Sequence, residues 1–454
     1  MIDLSSYVRG LKNQKIAVFG LGLSGLSTVR ALIASGAHVH AWDDSQEQQD
    51  NALNLGAKIS DLTQTLDSSF DALVLSPGVA LTHPAPHDIV KKAQSESVSI
   101  IGDIDLLHHA HHGLKTIGIT GTNGKSTTTA LMAHVLNQCG VNALAAGNIG
   151  MPVLDLDLKG MDVLVLELSS YQLDLCHSYT PDISILLNIT PDHLDRHGDM
   201  AGYTKAKSRI LKGKGLAIIG IDDQPTKTLY EDAIERKERD VVSISVLGHA
   251  NIYVQEGVLY DHDKTITDLR TLDTLKGVHN HQNIACVYAA AKEMGLQADD
   301  IMTAIKTYGG LPHRQFKVAQ INNVTYINDS KATNSEAASK ALSSYDNIYW
   351  IVGGLPKVGG LNGLEQLMQR VKKAYLIGQA APDFKIWLDH NNVPSDMCGT
   401  LDVATKKAHE EAQLAHEHGT VLLAPACASW DQFKSFEVRG HTFMQIIYDI
   451  EGKK

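Results

Sequence analysis

The sequence has no long apolar run, and its cysteines show no paired spacing. The 454 residues include five cysteines, scattered without a C-x-x-C motif. This usage is typical of free thiols in a reducing compartment and argues against a disulfide framework or a zinc site. No stretch approaches a membrane-spanning length, and the first ten residues lack the apolar run of a secretory signal. The chain is therefore expected to be cytoplasmic, with no membrane span.

The chain also lacks an excess of basic residues. Against 40 Lys and Arg residues stand 51 Asp and Glu residues, which gives a formal net charge of −11. General nucleic-acid binders normally present a basic surface, so nucleic acid is not an expected partner. Hydrophobic residues make up 43% of the chain and charged residues 20%, as is typical of globular proteins with a large core. A chain of this length is expected to form two or three domains.

Apolar segments alternate with helical patterns along the whole chain, and this alternation predicts an α/β fold built on parallel sheets. Three domains are predicted, at residues 1–103, 104–310 and 311–454. The pair Gly309–Gly310 before the last boundary is typical of a hinge. Residues 240–276 are more polar and are expected to form a small antiparallel addition to the second domain.

Compact apolar runs predict the strands of these domains. The sequence contains no internal repeat or low-complexity tract that would suggest another architecture. The predicted strands lie at residues 15–22, 38–44, 71–78, 162–170, 182–190, 215–222, 324–330, 347–354, 374–378 and 420–426.

The segment TIGITGTNGKSTT at residues 116–128 is the most informative motif. A short apolar strand runs into a Gly-rich turn and then a helix, and backbone N–H groups in such a turn converge on an anion. Lys125 is expected to contact the outer phosphates of a nucleotide, and Ser126 or Thr127 to hold Mg²⁺. The motif is a variant of G-x-x-x-x-G-K-[ST], because Ile119 stands in the first Gly position. A turn that only joins strand to helix is the disfavoured alternative.

A second Gly-rich turn lies near the N-terminus, where Gly20, Gly22 and Gly25 match G-x-G-x-x-G between a strand and a helix. Asp43 ends the next predicted strand, about where an acidic ribose ligand would lie. This pattern fits a nicotinamide dinucleotide or a UDP-sugar. Nothing else in the sequence resembles a hydride-transfer site, so the UDP-sugar is preferred. A nicotinamide-dependent oxidoreductase and a UDP-binding regulatory module remain alternatives, which the phosphate loop disfavours.

Polar residues follow two further predicted strands, at the edge where α/β sheets bind ligands. Glu167 ends one strand, in LELSSYQ, where its carboxylate could hold Mg²⁺ opposite Ser126. His193 follows the next strand, in NITPDHLDRH, and could contact metal or substrate. Lys207 lies on a later helix, and from the residues alone a solvated surface lysine is favoured. The run His108–His112 lacks carboxylates at ligand spacing and is interpreted as a solvated turn.

Taken together, these motifs resemble those of the Mur ligase family. The matching segments include ITGTNGKST, LELSS, NITPDHLDRH, the helix with Asn280 and Asn283, LPHR at 311–314 and NDSKATN at 328–334. Because they span the chain in the family's order, the resemblance is global. NDSKATN and the segment LLAPACASWDQFKSFEVRG at 422–440 most resemble the members that add D-glutamate. The DNPR-like signature of the members that add a diamino acid is absent.

The resemblance implies a Rossmann-like UDP-binding domain, a central P-loop ATPase domain with a parallel sheet, and a Rossmann-like third domain that binds D-glutamate. It implies a ligase of peptidoglycan precursor synthesis that uses ATP and a pair of Mg²⁺ ions. The alanyl carboxylate of UDP-MurNAc-L-Ala would be activated as an acyl phosphate before the amine of D-glutamate attacks. The partners are then small-molecule substrates, and a monomer is expected.

The resemblance also implies roles for individual residues, with catalytic roles for Lys125, His193 and Lys207. The family's Lys207 equivalent is carbamylated by CO₂, which would make it a metal ligand. The expected metal ligands are Ser126, Glu167, His193 and Lys207. The expected ATP contacts are Gly121, Thr122, Asn123, Gly124, Lys125, Ser126, Thr127, Asn280, Asn283, His313, Arg314 and Asp329. The expected UDP-sugar contacts are Leu23, Ser24, Asp43, Asp44, Gly78, Asn148 and Gln172. The expected D-glutamate contacts are Lys331, Thr333, Lys357, Ser429, Trp430 and Phe436.

Overall fold

A computed structural model of the chain describes residues 1–110, 113–272, 274–357 and 359–452. Within these ranges, three β-sheets follow one another along the chain, each built largely from parallel strands with helices between them. The α/β class predicted from the sequence is therefore confirmed. In the part of the chain that is described, no helix is long and apolar enough to cross a membrane.

The chain packs into two compact units. One unit comprises Met1–Leu269 and His281–Ile305, and the other comprises Arg270–Asn280 and Lys306–Lys454. The first and second sheets lie in the first unit, and the third sheet lies in the second unit. The domain boundaries drawn from the sequence at 103/104 and 310/311 stay predictions.

The first sheet is entirely parallel across its described strands. These strands are β1 (Lys15–Phe19), β2 (His38–Trp42), β3 (Lys58–Ile59), β4 (Ala72–Leu75) and β5 (Ile100–Ile101). The helices are α1 (Ser5–Gly10), α2 (Leu23–Ala34), α3 (Gln46–Asn54), α4 (Leu62–Thr65), α5 (Asp88–Ser95) and α6 (Asp103–His109). The strand order β3-β2-β1-β4-β5 places the turns after β1 and β4 at the point where the order reverses, where such sheets bind ligands.

The second sheet is the largest of the three. Its strands are β6 (Lys115–Thr120), β7 (Ala143–Gly147), β8 (Val163–Glu167), β9 (Ile183–Leu186), β10 (Leu216–Gly220), β11 (Val241–Ser245), β12 (Ile252–Gln255), β13 (Val258–Asp261) and β14 (Lys264–Asp268). Their order is β14-β13-β12-β11-β10-β9-β6-β8-β7. β13 pairs antiparallel with both β12 and β14, which confirms the antiparallel addition expected within 240–276.

Helices flank the second sheet and follow it. They are α7 (Lys125–Gln138), α8 (Ser170–Leu175), α9 (Leu194–His197), α10 (Met200–Ser208), α11 (Gln224–Arg236), α12 (Val278–Glu293) and α13 (Ala298–Lys306), with 3₁₀ turns at Val153–Asp155, Arg209–Leu211 and Leu269–Thr271. In the strand register, Ile119 of β6 pairs with Glu167 of β8 and with Ile185 of β9. The carboxyl ends of these three neighbouring strands therefore meet at one edge of the sheet.

The third sheet is parallel except for one antiparallel edge strand. Its strands are β15 (Phe316–Ile321), β16 (Val324–Asn328), β17 (Ile348–Gly353), β18 (Val371–Ile377), β19 (Ser395–Gly399) and β20 (Gly419–Leu423). They lie in the order β15-β16-β20-β17-β18-β19, and β15 is the antiparallel strand. The helices are α14 (Ser335–Ser344), α15 (Ala381–His390), α16 (Leu401–Leu414) and α17 (Phe436–Glu451), with a 3₁₀ turn at Glu365–Arg370.

The histidine run before the second sheet is partly described. His108 and His109 end α6, and the ring of His109 stacks on Tyr7 with centroids 5.2 Å apart. The solvated turn expected for these two residues is therefore wrong, because they extend a helix and one of them packs on an aromatic ring. His111 and His112 lie outside the described residues.

Candidate active site

The turn between β6 and α7 has the geometry of a phosphate loop. Gly124 has φ +85° and precedes Lys125, the first residue of α7. A Cβ on Gly124 would lie 2.4 Å from Asn283 Oδ1, and one on Gly121 would lie 2.9 Å from Leu187 Cβ. Both positions therefore require glycine. The first backbone N–H groups of a helix have no partner within it, so this turn can bind an anion.

Residues from the segment after β9 hold this turn. Thr122 N donates to Asn188 O, and Asn123 N donates to Asn188 Oδ1, each at 2.9 Å. Thr122 Oγ1 accepts from Thr190 N at 3.0 Å and lies 3.1 Å from Tyr203 OH. The site residues expected from the sequence did not include Asn188 or Tyr203. Both lie within or just after the segment NITPDHLDRH, which was the available signal.

The side-chain nitrogens of Lys125 and Lys207 converge on one carbonyl oxygen of the turn. Lys125 Nζ donates to Gly121 O and Thr122 O, each at 2.8 Å. Lys207 Nζ donates to the same Gly121 O at 2.8 Å. Lys207 is 1% exposed, and burial lowers its pKa well below the ordinary value, with the charge of Lys125 acting in the same direction. The surface position favoured from the residues alone is therefore wrong.

Glu167 brings a buried carboxylate to the same edge of the sheet. It ends β8 and is 1% exposed. Its Oε1 accepts a hydrogen bond from Asn148 Nδ2 at 2.9 Å, whereas Oε2 has no hydrogen-bond partner among the described residues. A buried carboxylate oxygen without a partner is costly, so this donor fits a cation. Oxygen ligands of this kind suit Mg²⁺.

A metal ion here would depend on few protein ligands. The described residues contain no group of three or more His, Cys, Asp or Glu side chains placed to hold a metal. Ser126 is 3% exposed in the first turn of α7 and supplies a hydroxyl, and Thr127 follows it. Mg²⁺ is commonly held by one or two carboxylates together with water and substrate phosphates, so the available donors fit this ion.

His193 lies beside this cluster, at the start of α9, with φ +52°. Its ring centroid is 4.9 Å from that of Tyr171 and 6.4 Å from that of Tyr203. Its side chain is 45% exposed. Partial burial still lowers the pKa of its imidazole, and the charges of Lys125 and Lys207 also lower it against the opposing effect of Asp192. The ring is therefore largely neutral near pH 7, the form in which histidine binds metals.

The GLGLSG turn of the first sheet is tightly packed. A Cβ on Gly25 would lie 1.9 Å from Gly20 O, so α2 begins directly against the turn. Asp43 Oδ2 accepts from Leu21 N at 2.6 Å, and Oδ1 accepts from Ser45 N at 2.9 Å. The Asp43 carboxylate therefore holds the backbone around the turn.

The other expected UDP-sugar contacts lie in two places. Leu23 and Ser24 open α2, and Leu23 is 81% exposed. Asp44 follows Asp43, and Gly78 lies in the turn after β4. Asn148 follows β7 of the second sheet and donates a hydrogen bond to Glu167, and Gln172 lies in α8. Gln172 completes a capping box at the start of α8, and its Oε1 accepts from Ser169 N and Oγ, each at 3.1 Å.

In the second unit, His313 and Asp329 are buried. Asp329 is 7% exposed, and its Oδ1 accepts from Gln315 N at 3.2 Å. Burial raises the pKa of this carboxyl to about 7, against the opposing charge of Arg314. The His313 ring packs so closely on α17 that a Cβ on Gly440 would lie 2.1 Å from its Nδ1.

The other second-unit residues expected to contact ATP or D-glutamate differ in their surroundings and exposure. Lys331 Nζ lies 3.8 Å from the ring centroid of Phe436. Asn280 Nδ2 donates to Lys276 O at 2.8 Å. Thr333 N donates to Lys331 O at 2.8 Å. The other expected D-glutamate contacts differ in exposure: Ser429 is 2% exposed, Trp430 is 72% exposed, and Lys357 is exposed.

Arg439 is a structural residue that the sequence-based expectations missed. It is 1% exposed, and its guanidinium donates to Ser330 Oγ at 2.9 Å, to Ser330 O at 2.8 Å and to Cys427 O at 3.1 Å. It therefore ties the segment before Lys331 to the segment before Ser429. Its place within the motif FKSFEVRG was the available signal.

Comparisons with known proteins show which family the chain resembles. Residues 119–291 match the Mur ligase middle domain, and residues 14–102 match the Mur ligase MurD-like, N-terminal domain. A protein of Paramagnetospirillum magneticum named UDP-N-acetylmuramoylalanine–D-glutamate ligase is 46% identical over 96% of this chain and 97% of its own. A protein of the same name from Agrobacterium fabrum is 46% identical over 100% of this chain and 98% of its own.

Solved structures of lower identity share the fold. UDP-N-acetylmuramate-alanine ligase from Thermotoga maritima has a TM-score of 0.59 at 17% identity and covers 97% of this chain and 100% of its own. A pseudomurein peptide ligase type C from Methanothermus fervidus has a TM-score of 0.55 at 18% identity and covers 96% of this chain and 100% of its own. With relatives at 44–47% identity over nearly the whole chain, the protein belongs to the Mur ligase family.

Proposed function

We propose that the chain is an ATP-dependent ligase of peptidoglycan precursor synthesis that adds D-glutamate to UDP-MurNAc-L-Ala. The observation that carries this proposal is the 44–47% identity, over nearly the whole chain, to relatives named for that reaction. The phosphate-binding turn, the buried carboxylate of Glu167 and the paired lysines at one edge of the second sheet support it, because they supply the groups that such a ligase needs.

The proposed reaction has two steps. An oxygen of the alanyl carboxylate attacks the γ-phosphorus of ATP, and ADP leaves. The amine of D-glutamate then attacks the acyl carbon, the C–O bond to the phosphate breaks, and the amine proton is released. Activation is needed because a carboxylate becomes a good acyl donor only when one of its oxygens leaves as phosphate. Both steps bring anions together, so the protein must neutralise charge.

The phosphate-binding turn supplies part of this neutralisation. The N–H groups at the start of α7 would bind the phosphate chain, and Lys125 would exchange Gly121 O and Thr122 O for phosphate oxygens. Glu167 and the hydroxyl of Ser126 would hold Mg²⁺, which offsets phosphate charge when bound. The orphaned Oε2 of Glu167 supports this assignment. His193 would contribute its neutral imidazole to a second ion.

Carbamylation of Lys207 is a further part of the proposal. The neutral amine would attack the carbon of CO₂, form an N–C bond and lose a proton, which leaves a carbamate anion. The burial of the amine and its lowered pKa support this step, because only the neutral amine is nucleophilic. The adjacent Lys125 would stabilise the anion. Carbon NMR of protein equilibrated with ¹³CO₂ tests it: we expect a carbamate signal that Lys207→Met removes, and full activity in CO₂-depleted buffer without such a signal would refute it.

The resemblance to the family supports roles for groups on several elements in binding the substrates. The turn after β1 with Leu23, Ser24 and the Asp43–Asp44 pair would bind the UDP-sugar. Lys331 and Lys357 would pair with the carboxylates of D-glutamate, and Thr333 and Ser429 would offer hydroxyl groups. His313, Arg314 and Asp329 with Asn280 and Asn283 would contact ATP. We further propose that the chain acts as a monomer in the cytoplasm.

Phosphate release by the purified chain tests the activity. We expect release from ATP only when UDP-MurNAc-L-Ala and D-glutamate are both present, with one amide formed for each phosphate. L-Glutamate and meso-diaminopimelate are the matched controls for the amino acid. Release that proceeds with either control instead of D-glutamate would refute the proposed specificity, and release without any amino acid would refute ligation.

A further inference from the structure

The side chain of Arg196 attaches the segment that carries His193 to the turn after β4 of the first sheet. Arg196 Nη1 donates to Gly78 O and Nη2 donates to Val79 O, each at 2.8 Å. Nη2 also lies 3.5 Å from Pro77 O. The guanidinium therefore reaches three consecutive carbonyl groups. Its planar fork of N–H donors allows this pattern, which the compact ammonium of a lysine does not reproduce.

A second close approach joins the same two segments. Gly198, two residues after Arg196, has φ +84°, and a Cβ there would lie 2.6 Å from Nε2 of His83. His83 belongs to the same loop after β4 as Gly78. The two segments are therefore in contact through backbone and ring as well as through the guanidinium, and their separation is defined at two points.

The ring of Tyr171 connects Arg196 with His193. Arg196 Cζ lies 4.8 Å from the centroid of this ring, and the His193 centroid lies 4.9 Å from it. His197 stacks on the same ring at 5.6 Å, and its Nε2 lies 3.0 Å from Ser170 Oγ. A change in the position of the guanidinium therefore alters the packing that orients the His193 imidazole.

The two ends of this connection have different expected ligands, the UDP-sugar at Gly78 and a metal ion at His193. We propose that Arg196 is a positioning residue that keeps these two binding elements at a fixed separation. The acyl carboxylate of the bound UDP substrate then reaches the metal and phosphate groups in register. This inference rests on the proposed function. Arg196 acts through Gly78 and His193.

Steady-state kinetics of Arg196→Ala test this inference. Misplacement of reacting groups by about 1 Å costs about 100-fold in rate, and we expect a fall of that order in kcat. The Mg²⁺ concentration for half-maximal rate should rise, whereas the KM for ATP should stay unchanged because the phosphate loop is untouched. Added guanidinium ion, well below denaturing concentrations, should restore part of the rate by occupying the space of the missing group.

Arg30→Ala is the matched control. Arg30 lies in α2 beside the first sheet and forms an ion pair with Asp155, in the 3₁₀ turn that follows β7 of the second sheet. We expect this variant to keep the wild-type kcat and Mg²⁺ requirement and to show no response to guanidinium. Arg196→Lys covers the case in which the alanine variant fails to fold. It keeps the charge and an aliphatic stem but loses the planar fork of donors, so a reduced kcat at a wild-type melting temperature is expected.

The outcomes separate this inference from the activity on which it rests. If the wild type makes product and the Arg196 variants keep its kcat and Mg²⁺ requirement, the inference is overturned and the proposed function stands. If loss of rate in Arg196→Ala only follows loss of folded protein, with Arg196→Lys fully active, the residue is merely structural. A wild type that makes no product would overturn the proposed function and this role together.

Discussion

Replacing Asp329 by asparagine should make the second unit more stable at pH 8 and leave it almost unchanged near pH 4. Asp329 is 7% exposed, and burial raises the pKa of its carboxyl to about 7 from an ordinary value of 3.8. Asparagine has nearly the same shape, carries no charge and keeps an oxygen to accept the hydrogen bond from Gln315 N. The substitution therefore removes the cost of a buried charge without opening a cavity.

The sign and size follow from the two pKa values. Because the folded-state pKa is the higher one, the folded protein binds more protons than the unfolded chain between pH 3.8 and about 7. Stability conferred by this group is therefore greatest below pH 3.8 and falls as the pH rises to about 7. Each unit of pKa difference corresponds to about 1.4 kcal/mol, so the total is about 4 kcal/mol as an upper limit.

Urea unfolding at several pH values provides the assay, with tryptophan fluorescence as the probe, because the second unit contains Trp350, Trp387 and Trp430. We expect the wild type to lose stability relative to Asp329→Asn from pH 5 to pH 7 and the difference to level off above. Asp346→Asn is the control, because Asp346 is exposed and forms a surface ion pair with Arg370 that contributes little. Parallel pH profiles for the wild type and Asp329→Asn would refute the reasoning.

Three further predictions concern the second sheet. Lys125→Ala should lower kcat at least about 100-fold by removing transition-state charge stabilisation; near-normal ADP release would contradict it. Gly124→Ala should lower the free energy of unfolding by about 1–2 kcal/mol, because a residue with a side chain is strained in the left-handed conformation. It should also displace Asn283, so that calorimetry detects no ATP binding; wild-type affinity would contradict this prediction. Glu167→Gln should not lower the melting temperature without ligand, because it removes a buried carboxylate oxygen that has no partner among the described residues. It should lose the dependence of nucleotide binding on Mg²⁺, and a retained Mg²⁺ effect would count against Glu167 as a ligand.

The phosphate loop and the strands beside it could be predicted because their signals are local. The positive φ of Gly124 is a requirement of one residue, and Lys125, Ser126 and Thr127 follow it directly in the sequence. The end of β8 at Glu167 could be predicted from the buried run before it. Strand ends and turns are set by neighbours along the chain, so the motif and its place at the carboxyl end of a strand could both be predicted from the sequence.

Several short and edge strands could not be predicted from the sequence. β3 and β5 have two residues each, too few to show a period. β7 reads ALAAG, whose small residues are not typical of a strand. Their pairing with neighbouring strands defines them as strands, and pairing across the sheet is not a property of the local sequence.

The burial of Lys207 could not be predicted from its own surroundings either. Its helix carries Lys205 as well and looks like a solvated face, yet its side-chain nitrogen contacts Gly121, which lies 86 positions earlier in the chain. The hydrogen bonds from Leu21 N to the Asp43 carboxylate and from Arg196 to Gly78 O likewise join segments that are distant in the sequence. Contacts between distant segments define these roles, so only the resemblance to a family indicated that Lys207 belonged to the site.

Isotope transfer tests the proposed chemistry most directly. UDP-MurNAc-L-Ala labelled with ¹⁸O in both oxygens of the alanyl carboxylate would be turned over with ATP and D-glutamate, and the released phosphate analysed by mass spectrometry. Activation of the carboxylate as an acyl phosphate predicts that one labelled oxygen moves to phosphate for every amide formed. Amide formation with unlabelled phosphate would contradict the account.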